Sequence, residues 1–98
     1  MFPTIDLKET GRNLRRIMDQ RGVTVKEVQQ YLGLKSVQSV YQWIKGIALP
    51  SIDHLYALSE LLQVSMDEIV KGSRDSFDTI RRRRMYEYMK RLHVLGIT

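Results

Sequence analysis

Apolar positions recur along most of this chain at intervals of three and four, the spacing that lays a stripe down one side of a helix. Leu14, Ile17 and Met18 make the first stripe; Asp6-x-x-Glu9 predicts a capping box ahead of it, and Arg21-Gly22 ends it. Gly11 lies inside this helix. Its low helix propensity, about 1 kcal/mol below alanine, predicts a frayed start. Thr24-x-x-Glu27 predicts a second capping box, with Val28 and Leu32 on the buried side of a short helix ending at Gly33.

Ser36 is expected to cap a third helix, which Gly46 closes. At about 100° per residue, Val40, Trp43 and Ile44 fall in one apolar arc, and Gln38, Gln42 and Lys45 lie nearly opposite. Pro50-Ser51 starts a fourth helix bearing Leu55, Leu58, Leu61 and Leu62; Ser65-x-x-Glu68 caps a fifth with Ile69 and Val70, ahead of Gly72. A sixth helical pattern, FDTIRRRRMYEYMKRLHVLG, can set Phe77, Ile80, Tyr88 and Leu92 on one face, interrupted by Arg84. No segment reads convincingly as a strand. The expected fold is all-α: five compact helices in a domain of residues 1–72, with an additional C-terminal helix in a basic extension, residues 73–98.

Composition narrows the function classes. A chain of 98 residues, 43% hydrophobic and 28% charged, can bury a core without staples and is ordinary for a soluble folded protein. The lack of cysteine rules out disulfides and thiolate metal sites and suits a reducing compartment. No stretch approaches the roughly 18 apolar residues of a membrane helix, and MFPTIDLKE lacks the marks of a signal peptide. A cytoplasmic, nucleoid-associated protein is expected, without membrane contact. With two histidines (His54 and His93), no Gly-rich phosphate loop and acids occurring singly, neither an enzyme nor a metal or cofactor site is expected.

The net charge of +5 is distributed unevenly. Residues 6–45 carry +4, residues 46–72 carry −3 and residues 73–98 carry +4. A layout of this kind suits a polyanion met by one side of the molecule.

Two short helices joined by a tight Gly-containing turn, the second with a polar outer face, make a helix-turn-helix, the arrangement that lays its second helix in the DNA major groove. The groove is about 12 Å wide and a helix about 10 to 12 Å across, so the two fit. Residues near the start of that helix reach base edges, here Ser36, Val37, Gln38 and Ser39, with Gln42 one turn further. Glutamine donates and accepts at once, matching N6 and N7 of adenine; serine reads either kind of partner, and Val37 can touch a thymine methyl. Arg12, Arg15 and Arg16 on the first helix, Lys26, Lys35 in the turn and Lys45 are candidate phosphate anchors, joined by Thr24 and Tyr41. The amides at the helix start near Thr24 add an end suited to anions.

Residues 11–71 resemble the phage-repressor-like (lambda-repressor-like, XRE) helix-turn-helix family. The landmarks are L-R-x-x-x-x-x-R-G-x-T at Leu14 to Thr24, W-x-x-G at Trp43 to Gly46, L-P-S at Leu49 to Ser51 and V-S-x-D-E at Val64 to Glu68. The resemblance implies a five-helix domain that binds double-stranded DNA, usually as a homodimer on paired half-sites, most often to regulate transcription and here as a repressor. Three departures stand out. Ten steps separate Gly33 from Trp43 where the family commonly has nine, and Gln29 stands where the family usually has a tightly packed alanine. We expect these two to be linked, the longer side chain holding the helices apart and the extra turn residue spanning the gap. Val25 stands where relatives often place a polar phosphate contact. An alternative reading makes the chain an antitoxin-type or other protein-interaction module, with residues 73–98 covering a protein partner.

Overall fold

Side-chain caps set where the helices begin. In the computed structural model, which describes residues 2–72, 84–92 and 96, α1 (Leu7–Arg21) starts at Asp6, whose carboxylate accepts from the Glu9 amide at 3.0 Å. Only half of the expected box forms there: the Asp6 N–H donates to Lys71 O, and Glu9 pairs with Arg12. The box at α2 (Val25–Leu32) is complete: Thr24 Oγ1 accepts from the Glu27 amide, and the Glu27 carboxylate accepts from the Thr24 N–H. Ser51 and Ser65 cap α4 (Ile52–Leu62) and α5 (Met66–Ile69) in the same way, through the amides of His54 and Glu68. Each such cap contributes about 1 kcal/mol.

The third helix departs from expectation. α3 (Gln38–Ile44) begins two residues after Ser36, and its N-cap position is Val37, with no side-chain cap. Ser36 Oγ still accepts from the Gln38 amide, at 3.3 Å, so the hydroxyl is used in the turn that precedes the helix.

Gly11 is a second correction. It is buried, and a Cβ added to it would lie 2.4 Å from the carbonyl oxygen of Ile44 and 2.5 Å from that of Trp43. The reverse side of this contact is Gly46, at φ +74°, where a Cβ would lie 2.7 Å from Cα of Lys8. The start of α1 therefore presses directly on the end of α3. Propensity is lost to gain that approach, and the segment is packed rather than frayed.

Leu14, Met18, Val28, Val40, Leu58, Leu62 and Ile69 are fully buried at the centre, with Ile17, Val25 and Trp43 beside them. Each buried aliphatic side chain contributes about 1.5–3 kcal/mol of transfer free energy. The far end is tied to α1 by polar contacts. Buried Asn13 donates through Nδ2 to the carbonyls of Glu68 (2.6 Å) and Ile69 (2.9 Å), and Thr10 Oγ1 both donates to Lys71 O and accepts from Lys71 N. Ile5 and Gly72 form an isolated antiparallel bridge, and the Asp6 N–H donates to Lys71 O, so both ends of this unit meet. The described residues contain helices and no strand, and residues 84–92 are also helical. Phe77, Ile80 and Arg81–Arg83 lie outside the described residues, while Tyr88 is exposed and Leu92 half-buried.

Candidate nucleic-acid interface

α3 is anchored from behind. Val40 is fully buried and Trp43 nearly so, and the Trp43 ring leans on His54 of α4 with centroids 5.7 Å apart and planes tilted by 47°. At 3.6 residues per turn, anchoring those two positions leaves Gln38, Tyr41, Gln42 and Lys45 on the opposite side. Gln38, Tyr41 and Lys45 are exposed, and Gln42 and Ser39 half-buried. Ser36 and Lys35 are exposed in the turn, whereas Val37 is half-buried and packs against the core, so only part of it faces outward. Lys45 Nζ lies 6.0 Å from the Tyr41 ring centroid, at the outer reach of a cation–π contact.

The turn between α2 and α3 is held by the last residues of α2, and the Gly33 N–H donates to the Gln30 carbonyl at 3.2 Å. Gly33 is left-handed (φ +68°), and the following Leu34 donates its N–H to the Gln29 carbonyl at 3.0 Å. The Gln29 side chain does not point into solvent: it is half-buried, and its Nε2 donates to Leu34 O at 2.5 Å. Its Oε1 is buried without a hydrogen-bond partner. Val25 belongs to the core and offers no polar group.

The basic residues divide into two groups. Arg15 lies four residues from Gly11, about 40° around α1, on the side that meets α3. It shares a recess with Thr24, Lys26 and Tyr41. Arg12 and Arg16 are rotated about 100° and 140° from Gly11. They border a separate recess with Asn13 and Lys71. Arg16 Nη2 donates to Asn13 Oδ1 at 2.5 Å, and Arg12 pairs with Glu9. The structure thus gathers Arg15, Lys26, Tyr41 and Thr24, and sets Arg12 and Arg16 apart. Thr24 has little left to offer an anion, because its hydroxyl and N–H are both engaged with Glu27, whose carboxylate occupies that helix end. Sequence reasoning passed over Lys8, which is exposed and abuts Gly46 at the end of α3. Its seven-residue spacing from Arg15, which puts both on one line of α1, was the available signal.

Among the described residues, no group of three or more His, Cys, Asp or Glu could hold a metal ion, and no helix is long and apolar enough to cross a membrane. What is present is a short exposed helix with amides forward, tryptophan behind, and cations at its edges. The helix-turn-helix family model matches residues 14–69, which is more than half of the chain and contains α2, the turn and α3. The chain belongs to the helix-turn-helix family. It is of the XRE, lambda-repressor-like type, whose members are DNA-binding regulators of transcription. Among solved structures it is similar to the restriction-modification controller protein C.AhdI from Aeromonas hydrophila. The likeness has a TM-score of 0.59 at 22% identity and covers 65% of this chain and 96% of that one, which supports the shared fold. No curated protein matches the chain by sequence.

Proposed function

We propose that this helix-turn-helix protein is a sequence-specific repressor that reads the major groove of double-stranded DNA with α3. The observation that carries the reading is the fixed rotation of that helix. Buried Val40 and Trp43 leave Gln38 and Gln42 outward, with Ser36 and Ser39 at its start. Seven residues rise about 10 Å, the length of roughly three base pairs. Each glutamine can hold an adenine edge through paired hydrogen bonds, and a good pair discriminates by about 1–3 kcal/mol.

Lys45, Lys26, Lys35, Arg15 and Lys8 supply backbone contacts around this helix, with Tyr41 beside Lys45. These contacts fix position without carrying sequence information. Residues 1–72 form the DNA-binding domain on this reading. Exposed Ile47, Ile52 and Tyr56 (64%, 72% and 60% accessible) supply apolar surface for a homodimer, which doubles the phosphate contacts on a two-fold site. A second reading is favoured by residues 84–92, where Met85, Tyr86, Tyr88 and Met89 are all exposed. There the C-terminal extension holds a protein partner while the domain regulates its own gene.

Selection of bound fragments from random duplex DNA tests the proposal. The expected result is an enriched motif in two inverted halves, separated by about one or more turns of 34–36 Å. Recovery of unenriched fragments would contradict it.

A further inference from the structure

We propose that Gln29 is a positioning residue for α3: its side-chain amide fixes the turn, and through the turn the register in which α3 meets base edges. The inference rests on the reading of α3 as the base-contacting helix. Gln29 lies on α2, and it holds Leu34 from both sides, accepting the Leu34 N–H on its carbonyl at 3.0 Å and donating Nε2 to the Leu34 carbonyl at 2.5 Å. Among the described residues no other α2 side chain hydrogen-bonds to the turn. Leu34 in turn packs against the core, so its backbone is fixed by side chain below and amide above.

α3 needs such a fixed approach because its own start is weakly specified. Its N-cap is a valine in helical conformation, without a capping side chain, and the Ser36–Gln38 contact is long at 3.3 Å. The same amide has a cost. Gln29 Oε1 is buried with no hydrogen-bond partner, and buried polar atoms in that condition are disfavoured. An apolar side chain of equal length would fill the space without that penalty. What it would lack is the Nε2 bond to the Leu34 carbonyl, leaving only the backbone bond from the Leu34 N–H, and a misplacement of a few tenths of an ångström to an ångström matters for paired hydrogen bonds to a base far more than for packing.

The test compares Gln29→Met, which keeps length and removes the amide, with Gln30→Met at the neighbouring exposed glutamine, using the full chain. Thermal melts establish folding, and titrations with the selected duplex and with random duplex give the ratio of the two affinities. We expect Gln29→Met to melt close to the parent, to keep its affinity for random duplex, and to lose at least fivefold of the specific-to-random ratio. Gln30→Met should leave the ratio unchanged. A folded Gln29→Met that loses less than fivefold, or a Gln30→Met that loses as much, overturns the proposal. Should Gln29→Met fail to fold, exchange of the Gln29 side-chain amide protons in the parent decides. Protection well beyond that of Gln30 supports the clasp, and exchange as fast as Gln30 overturns it. A parent that holds selected and random duplex equally overturns base reading itself, and this is distinguished because no variant is involved.

Discussion

Gly11 faces the carbonyl oxygen of Ile44 so closely that a Cβ on it would come within 2.4 Å. The contact joins the first turns of α1 to the last turn of α3, the helix whose placement the proposed base reading needs. It also reverses what propensity says of the position. In an exposed helix, Gly→Ala stabilises by about 1 kcal/mol. Here Gly11→Ala forces backbone apart, and overpacking of this kind costs about 1–3 kcal/mol. Urea denaturation of Gly11→Ala should show a loss of stability in that range; a gain would mean that α1 and α3 are not pressed together.

Trp43 is the largest side chain behind α3 and is 5% accessible. Trp43→Ala should cost about 3–5 kcal/mol, read from the denaturation midpoint at constant slope. A cost below about 1 kcal/mol would place the tryptophan outside the core and turn the opposite side of α3 outward.

The two groups of α1 cations give a sharper comparison. Arg15→Gln and Lys45→Gln should each weaken binding to every duplex and reduce the salt dependence by about one unit of slope. Arg16→Gln, in the recess with Asn13 and Lys71, should leave the slope unchanged. Equal effects from Arg15→Gln and Arg16→Gln would show that DNA covers both sides of α1.

Local features of this chain were legible before any coordinates. Thr24, Ser51 and Ser65 announce their helices because a cap involves residues three apart, and Leu14, Met18, Leu58 and Leu62 announce the core by their period. Features set by packing and turn geometry are not legible in this way. Gly11 looked like a weak point because its reason is a carbonyl more than thirty residues away. Arg12, Arg15 and Arg16 are chemically alike, and only the rotation of α1 against α3 separates them. Ser36 has the right chemistry for a cap, yet its hydroxyl serves the turn and the helix starts at Gln38. For the candidate site, the family landmarks identified the second helix, while the inward turn of Gln29 needed the fold.

The central claim is that the side of α3 facing away from Trp43 recognises bases, and titration of Gln38→Ala and Gln42→Ala against two duplexes tests it most directly. On the selected site each variant should lose about 1–3 kcal/mol, roughly 5- to 150-fold, while affinity for random duplex stays at the parent value. Equal losses on both duplexes, or none on either, would contradict it.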